Sequence, residues 1–188
     1  LVLLVSALGY FSVGRLGNDV ASAGNLVVGG GQGMKGRAPD GATDILLVGS
    51  DSRSDAQGNP LSDEELERLR AGVDDGEENT DTIMIIRVPN DGSSATAVSI
   101  PRDTLVDIPS CHLPDGTSTE PQTQAMFNSA FAIGGATGDV GAAAACTIRT
   151  VEALTGVYVD DFVVVDFTGF IKVVDALGGI AMYLPEDI

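Results

Sequence analysis

The chain has 188 residues, of which 44% are hydrophobic, and this is enough for one compact domain with one core. Lysine and arginine together number 10 and aspartate and glutamate 27, so the formal net charge at pH 7 is -17. Such a chain repels phosphate backbones, which excludes nucleic acid as a partner held by charge attraction.

The first residues, LVLLVSALGYFSVG, form an uncharged apolar run. A complete transmembrane helix needs about 20 such residues, and we predict that residues 1–14 are a truncated signal anchor or transmembrane segment, or the tail of a signal peptide. An ordinary buried helix is the alternative. The stretch that follows is glycine-rich and weakly patterned, and it predicts a linker over residues 15–43.

Short apolar runs predict strands near residues 44–49, 81–88, 95–100 and 161–167. The second and third flank a turn rich in Pro, Asn, Asp and Gly, which is typical of a hairpin. The last run, VDDFVVVDF, is continuous in β-branched and aromatic residues, which favours a central position in the sheet.

Helical spacing appears in four other stretches. LSDEELERLR opens with Ser62 and Glu65 at capping-box spacing. MFNSAFAIGG and DVGAAAACTIRTVEALTG are alanine-rich, and Gly156 is a suitable stop for the second. For TGFIKVVDALGG we predict Thr168 as the N-cap of a helix with a buried apolar stripe. The stripe comprises Phe170, Val173, Val174 and Leu177. Strands and helices together predict an α/β fold, a single domain whose mixed central sheet is packed between helices in an α/β/α-like arrangement.

The two cysteines, Cys111 and Cys146, are too few for a zinc site and lack CxxC spacing. In an exported domain they could form a disulfide, which would stabilise the fold by about 3–4 kcal/mol because it closes a long loop. Two unpaired buried thiols are the alternative.

The hairpin has a consequence for the charged residues around it. With the turn centred near Asp91, facing residues have numbers that sum to about 182–184. Asp81 then lies opposite residues 101–103 and meets Arg102 and Asp103 at one end of the hairpin.

A further pair of charged residues, Asp51 and Arg53, follows the first predicted strand and can reach the same edge. Carboxylates with arginines among them suit a magnesium-bound phosphate or pyrophosphate, because hard oxygens hold the ion and guanidinium groups hold the anion. A surface salt bridge made by Arg102 is the alternative on spacing alone.

Five motifs in order carry a resemblance: ILLVGSDSR, TDTIMI, SIPRDTLVDIP, FNSAFAIGG and VDFTGFIKVVDALGGI. The chain resembles the extracellular catalytic domain of the LytR-CpsA-Psr family over roughly residues 44–184. We therefore expect residues 44–188 to form this catalytic domain, C-terminally incomplete. The resemblance implies a magnesium-dependent (or manganese-dependent) phosphotransferase that moves a glycopolymer from a polyprenyl-pyrophosphate carrier to peptidoglycan. It also implies an apolar cavity for the prenyl lipid.

The family's functional residues carry over by motif. Asp51 and Asp81 match the metal ligands, and Arg102 matches the arginine that contacts the pyrophosphate. Arg53 and Asp103 match further family positions. We assign Arg53 to pyrophosphate binding. We expect Arg102 and Asp103 to be catalytic, with Asp103 as the base.

The family pattern is broken at two positions. Asn79 replaces an arginine, and Met126 replaces a lysine; both changes remove positive charge from the expected pyrophosphate site.

Beyond the transferase, the sequence leaves open a metal-dependent polyprenyl-pyrophosphate hydrolase and a non-catalytic lipid- or wall-binding module. The resemblance implies a bacterial cell-membrane protein with a single N-terminal anchor and an extracellular catalytic domain. Its expected partners are the lipid-linked glycopolymer, the peptidoglycan acceptor and the membrane, with no nucleic acid.

Overall fold

The computed structural model describes residues 26–30, 40–51, 61–69 and 80–183 of the chain. Its strands are β1 (Leu26–Gly30), β2 (Thr43–Ser50), β3 (Thr80–Val88), β4 (Thr96–Ser99), β5 (Leu105–Ile108), β6 (Gln122–Met126) and β7 (Asp161–Val165). Its helices are α1 (Asp63–Leu69), α2 (Ser129–Gly134), α3 (Val140–Thr155) and α4 (Phe167–Ala176). All four predicted strands and all four predicted helices are confirmed, whereas β1, β5 and β6 were not predicted.

Five of the strands form one mixed sheet in the order β1-β7-β2-β3-β4. β2 and β7 run parallel, and the other neighbours run antiparallel. The interior position predicted for β7 is confirmed. β5 and β6 form a separate two-stranded sheet.

The predicted hairpin is formed by β3 and β4. Its register pairs Met84 with Ser99, whose numbers sum to 183, inside the predicted window. In the turn, Asp91 Oδ1 accepts hydrogen bonds from the Ser93 backbone N–H at 3.0 Å and from the Ser93 hydroxyl at 2.8 Å. Both hydrogen bonds lower the pKa of Asp91, and the one from the backbone N–H has the larger effect.

Alternation along β2 divides the sheet into two faces. Leu46 and Val48 point to the core and have no exposed surface, and burying each stabilises the fold by about 1.5–3 kcal/mol. They belong to one hydrophobic cluster with Cys146, Ile148 and Val151 of α3. Helix α3 therefore packs on this face.

The opposite face carries α4. Leu47 and Met84 are paired across β2 and β3, and together with Val165 they share a pocket with Phe170 and Val173 of α4. Because α3 and α4 lie on opposite faces, the predicted mixed α/β arrangement is confirmed.

Both ends of helix α3 are capped, and the C-terminal cap is the one that the sequence predicts. Asp139 Oδ1 accepts a hydrogen bond from the Ala142 N–H at 2.7 Å and caps the N-terminus. Gly156 ends the helix at φ 72°, in the left-handed region that glycine adopts without a steric cost.

β1 lies within the stretch predicted to be a linker. Residues 26–30 pair antiparallel with β7, so the linker prediction over 15–43 is wrong for this part. Two valines supply the β propensity, and the partner strand lies more than a hundred residues away in the sequence, which local patterning cannot reveal.

Two predictions for α4 are wrong. The N-cap is Asp166, whose Oδ1 accepts the Gly169 N–H at 2.6 Å, in place of the predicted Thr168. The predicted buried stripe is open, since Phe170 is 58% exposed and Leu177 is 66% exposed. Val173 and Val174 are half-buried. The periodicity marks this apolar stripe correctly, but among the described residues little packs over it.

A buried carboxylate, that of Asp44, lies near the beginning of β2, at the end of the sheet opposite to Ser50. Asp44 is 1% exposed and accepts a hydrogen bond from Arg87 Nη1 at 2.8 Å. Burial, followed by repulsion from Asp160, raises the pKa of Asp44. Arg87 also pairs with Asp40 and thus joins β3 to the residues before β2.

The predicted anchor, residues 1–14, lies outside the described residues. Of the helices that the structure describes, none combines the length and the apolar character required to cross a bilayer.

The open question about the cysteines is settled in favour of the disulfide. Cys111 and Cys146 are bonded, with sulfur atoms 2.02 Å apart. The bond joins the chain just after β5 to the middle of α3, and both cysteines are buried.

We expect the Cys111→Ala/Cys146→Ala variant to lose about 3–4 kcal/mol of unfolding free energy, because the bond closes a 35-residue separation in the unfolded chain. Guanidinium chloride unfolding of the variant, the oxidised parent and the reduced parent measures this. The reduced parent should resemble the variant; a loss below about 1 kcal/mol would contradict the estimate.

Candidate functional site

Three strands meet at one edge of the main sheet, and each places an aspartate there. Asp51 directly follows β2, and Asp81 is the second residue of β3, whose first residue lies opposite the last residue of β2. Asp166 directly follows β7, which is parallel to β2 and ends opposite Gly49. The chain thus gathers three carboxylates from positions far apart in the sequence.

Arg102 reaches this edge from the segment after β4. Its Nη1 donates a hydrogen bond to Asp81 Oδ1, and its Nε lies 3.7 Å from Asp103 Oδ1. The side chains of Arg102 and Asp81 are 49% and 53% exposed, so a ligand can approach the pair from solvent. The prediction that the hairpin brings Asp81 and Arg102 together is confirmed.

The turn that carries Arg102 is held by backbone hydrogen bonds. Thr104 N–H donates to the Pro101 carbonyl at 3.0 Å, and Phe127 N–H donates to the Thr104 carbonyl at 2.9 Å. Asn128 N–H donates to the Arg102 carbonyl at 3.0 Å. The guanidinium group is therefore mounted on a fixed backbone, which favours a defined binding geometry.

An apolar pocket of about 580 Å³ lies between α4 and the sheet face opposite α3. This volume is in the range of small-molecule sites, roughly 300–1,000 Å³. Its charged lining residues are Asp81 and Asp166. The apolar lining comprises Leu47, Met84, Val165, Phe167, Phe170 and Val173. Because Asp81 also pairs with Arg102, the ion pair borders the pocket.

The donor set at this edge suits a hard cation bound by few protein groups. Within the part of the chain that the structure describes, no three His, Cys, Asp or Glu side chains are grouped to hold a metal ion. Magnesium is commonly bound by one or two carboxylates, with water and substrate phosphates as its other ligands. Asp51 and Asp81 fit that smaller set in donor type and in their placement on adjacent strands.

The remaining residues that the sequence analysis singled out lie in different places. Arg53, like Asn79, lies outside the described residues. Asp103 is 70% exposed beside Arg102. Met126 lies in β6 and is half exposed.

Sequence reasoning missed Asp166 and the contribution of α4 to the pocket. The usable signal was that a parallel strand ends in an aspartate, since ligands often bind beyond the carboxyl ends of such strands. That signal required knowing that β7 lies next to β2, which one sequence does not disclose.

Comparison with protein families matches residues 22–188 to the LytR_cpsA_psr family. The chain belongs to this family. The resemblance that the motifs predict is therefore confirmed. Across 195 residues the chain is 50% identical to the cell wall biosynthesis protein LcpA of Corynebacterium glutamicum, covering 98% of this chain and 36% of that protein.

Another relative is the polyisoprenyl-teichoic acid--peptidoglycan teichoic acid transferase TagU of Halalkalibacterium halodurans. It is 34% identical over 118 residues, which cover 61% of this chain and 33% of that protein. The chain thus spans about a third of the length of the curated relatives it matches.

Solved structures show the same fold. TagT bound to LI-WTA has a TM-score of 0.50 and 22% identity, covering 88% of this chain and 48% of that one. The gbs0355 protein of Streptococcus agalactiae has a TM-score of 0.50 and 22% identity, covering 78% of this chain and 40% of that one.

Gly49 keeps the floor of the pocket in this LytR_cpsA_psr domain free of a side chain. A Cβ at this position would lie 3.0 Å from Thr82 Cβ. We expect Gly49→Ala to lower the unfolding free energy by about 1–3 kcal/mol, as overpacked sites do. Urea unfolding measures the change.

Thr82→Gly provides the matched background, because it removes the atom that the new methyl group would meet. The cost of Gly49→Ala should shrink there, giving a coupling energy of about 0.5 kcal/mol or more in a double-mutant cycle. Equal costs in both backgrounds would show that this contact does not limit the site.

Proposed function

We propose that the chain is the catalytic part of a phosphotransferase that moves a glycopolymer from a polyprenyl-pyrophosphate carrier to peptidoglycan through a phosphodiester bond. The observation that carries the proposal is the Arg102–Asp81 pair at the border of the apolar pocket. The names of the relatives support it: LcpA is named a cell wall biosynthesis protein, and TagU a teichoic acid transferase.

The apolar pocket suits the hydrocarbon part of such a carrier. Most of its lining is aliphatic or aromatic, and Phe170 of α4 is largely exposed although it lines the pocket. A prenyl chain placed there would gain about 0.8 kcal/mol for each buried methylene-sized unit. The tail would cover the open stripe of α4 at the same time.

The charged edge suits the pyrophosphate. The planar guanidinium group of Arg102 can donate two parallel hydrogen bonds to phosphate oxygens, because its geometry matches theirs. Asp51, Asp81 and Asp166 outnumber this arginine at the described edge, so an anionic head group would be repelled without further positive charge. A divalent cation supplies that charge.

For this reason we include magnesium, or manganese, in the proposal, with Asp51 and Asp81 as its protein ligands. When bound, the ion would neutralise phosphate charge and assist departure of the leaving group. Arg53, which the family pattern assigns to the pyrophosphate, would add a second guanidinium.

The reaction follows from these positions. The oxygen of an acceptor sugar hydroxyl bonds to the phosphorus that carries the glycopolymer, and the bond from that phosphorus to the bridging oxygen breaks. Prenyl phosphate leaves with the bonding electrons, and the hydroxyl proton passes to Asp103. Because Arg102 lies beside the charge that grows on the leaving group, it stabilises the transition state more than the ground state. Asp103 is exposed and therefore accessible to an incoming hydroxyl.

We further propose that the protein is held in the bacterial cell membrane by its N-terminal apolar segment, with the catalytic domain outside the cell. The Cys111–Cys146 disulfide supports an extracellular location, since such bonds persist in oxidising compartments.

Arg102→Ala tests the central role of this arginine. We expect transfer of a labelled glycopolymer by the full-length protein to fall about 100-fold to 1,000-fold, as it does when one donor of this kind is lost. Stability should change by at most about 1 kcal/mol, because the Asp81 ion pair is exposed. Product analysis in the same assay shows whether the phosphate is joined to a sugar or released by water, which separates a transferase from a hydrolase.

Lys172→Ala is the matched control, since it removes one exposed positive charge of α4 outside the pocket lining. It should transfer at the parental rate. If Arg102→Ala instead transferred at the parental rate, the proposed role of Arg102 in transfer would be wrong, and the arginine would be only a surface ion-pair partner of Asp81.

Asp51→Asn and Asp81→Asn test the metal ligands. Manganese binding, measured by electron paramagnetic resonance, should weaken at least about tenfold in each variant. Even substitution of residues that only hydrogen-bond to a metal's ligands lowers metal affinity about 10–100-fold. Asp175→Asn, an exposed position of α4 away from the pocket, is the control. Unchanged manganese affinity in both site variants would refute this assignment.

A further inference from the structure

The exposed face of the β5–β6 hairpin contains an apolar pair to which the proposed reaction has so far assigned no role. One member, Met126, lies where the family pattern has a lysine. Leu105 and Met126 face each other across the two strands. They are 65% and 50% exposed, whereas their neighbours Val106 and Ile108 point into the core. Facing apolar side chains on the open side of a hairpin leave hydrocarbon surface in water, where a ligand can cover it.

Next to this pair the hairpin contains a strained β-bulge. Val106 pairs with Ala125 and Ile108 with Gln122, so residues 123 and 124 oppose the single residue Asp107. Gln124 has φ 51° and is the only non-glycine residue with positive φ that the described chain contains. That conformation costs about 1–2 kcal/mol in a residue with a Cβ. Asp107 Oδ1 holds it by accepting the Gln124 N–H at 3.1 Å.

Glycine would adopt this conformation without the cost, so the presence of glutamine indicates a use for its side chain. Bulges occur frequently beside active sites, where they redirect a side chain. Gln124 is exposed, and its amide can both donate and accept hydrogen bonds.

The surface made by Leu105, Asp107, Gln124 and Met126, here called the hairpin face, is continuous with the site. The hydrogen bonds from Phe127 N–H to the Thr104 carbonyl and from Asn128 N–H to the Arg102 carbonyl extend the two strands towards the arginine. Leu105 is two residues from Asp103, the proposed base. A ligand on the hairpin face can therefore place a hydroxyl group near that carboxylate.

The far end of the hairpin is fixed as well. Cys111, three residues after the end of β5, is bonded to α3, and its N–H donates to Thr119 Oγ1 at 3.0 Å. Both ends of the hairpin face are thus held against the domain, which gives a rigid platform for a ligand.

The chemistry of the hairpin face disfavours a polyanion and suits a neutral, hydroxyl-rich ligand. It has one carboxylate, one amide and two apolar side chains, with no cationic group among them, and the whole chain carries a net charge of -17. A polyanion would be repelled. Sugar rings have apolar C–H faces that Leu105 and Met126 can cover, and hydroxyl groups that Asp107 and Gln124 can bind.

We propose that the hairpin face binds the acceptor, an uncharged glycan strand, and positions its hydroxyl for transfer. This inference rests on the proposed function and adds to it the acceptor subsite. The apolar pocket, in contrast, lies on the face of the main sheet that carries α4, so donor and acceptor would approach the Arg102 edge from different sides.

Gln124→Gly is the decisive variant, because glycine adopts the left-handed backbone without cost and the substitution removes the side chain together with its amide. A merely structural glutamine would make this variant equal to the parent or better in every respect. We expect stability to be retained or increased, with KM for the acceptor raised about three- to tenfold, the worth of one hydrogen bond. KM for the lipid-linked donor should stay unchanged. Leu105→Ser/Met126→Ser should raise the acceptor KM at least tenfold.

Val98→Ser is the matched control for the apolar pair, since Val98 is 55% exposed on β4. Its acceptor KM should equal that of the parent. Unchanged acceptor KM in both hairpin variants would overturn the inference, and so would an increase confined to the donor KM, which would indicate that the lipid covers this face.

Direct binding separates this inference from the proposed function. The full-length protein is titrated with fully N-acetylated chito-oligosaccharides, an uncharged probe, and binding is followed by calorimetry. Parental binding that Gln124→Gly weakens supports the hairpin face even if the parent transfers nothing, in which case only the proposed function fails. No binding by the parent, or equal binding by the two proteins, refutes the hairpin face while leaving transfer activity to be judged on its own.

Discussion

The architecture depends on the position of β2 between β3 and β7. One side of this strand buries Leu46 and Val48 against the core below α3, and the other side presents Leu47 and Gly49 to the pocket below α4. A shift of one residue in its register would exchange the two sides and place polar or small residues in the core. The same register determines that β2 ends level with the beginning of β3, so that Asp51 and Asp81 share one edge.

Under the proposed function, the donor and the acceptor would bind to different surfaces around that edge. The pocket on the α4 side is apolar and opens beside the charged groups, and the hairpin face on β5 and β6 leads to the same arginine. Arg102 belongs to the segment that connects β4 to β5, so its backbone is fixed by both sheets. A reaction that joins an amphiphilic donor to a polar acceptor requires such a meeting point, because the two substrates favour different environments.

The sequence predicts well wherever the information is local. The β3–β4 hairpin follows from its turn residues, and that register alone brings Asp81 to Arg102. Short patterns likewise predict the β2 and β7 strands and the C-terminal end of α3. Prediction failed where distant partners decide the result: β1 depends on β7, and exposure of Phe170 depends on what packs over α4. Asp166, and not the predicted Thr168, is the N-cap of α4, because both residue types can cap a helix and the sequence does not show where the first turn begins.

Pairing of β1 with β7 would also limit how far the domain could move from a membrane that held the N-terminal segment. If residues 1–14 are embedded, as we propose, only residues 15–25 connect them to the first strand. A fully extended chain of that length reaches about 40 Å, whereas the predicted linker over 15–43 would have reached about 100 Å. The short tether would keep the pocket within a few nanometres of the bilayer, so that a prenyl tail could pass from lipid to protein without crossing much water.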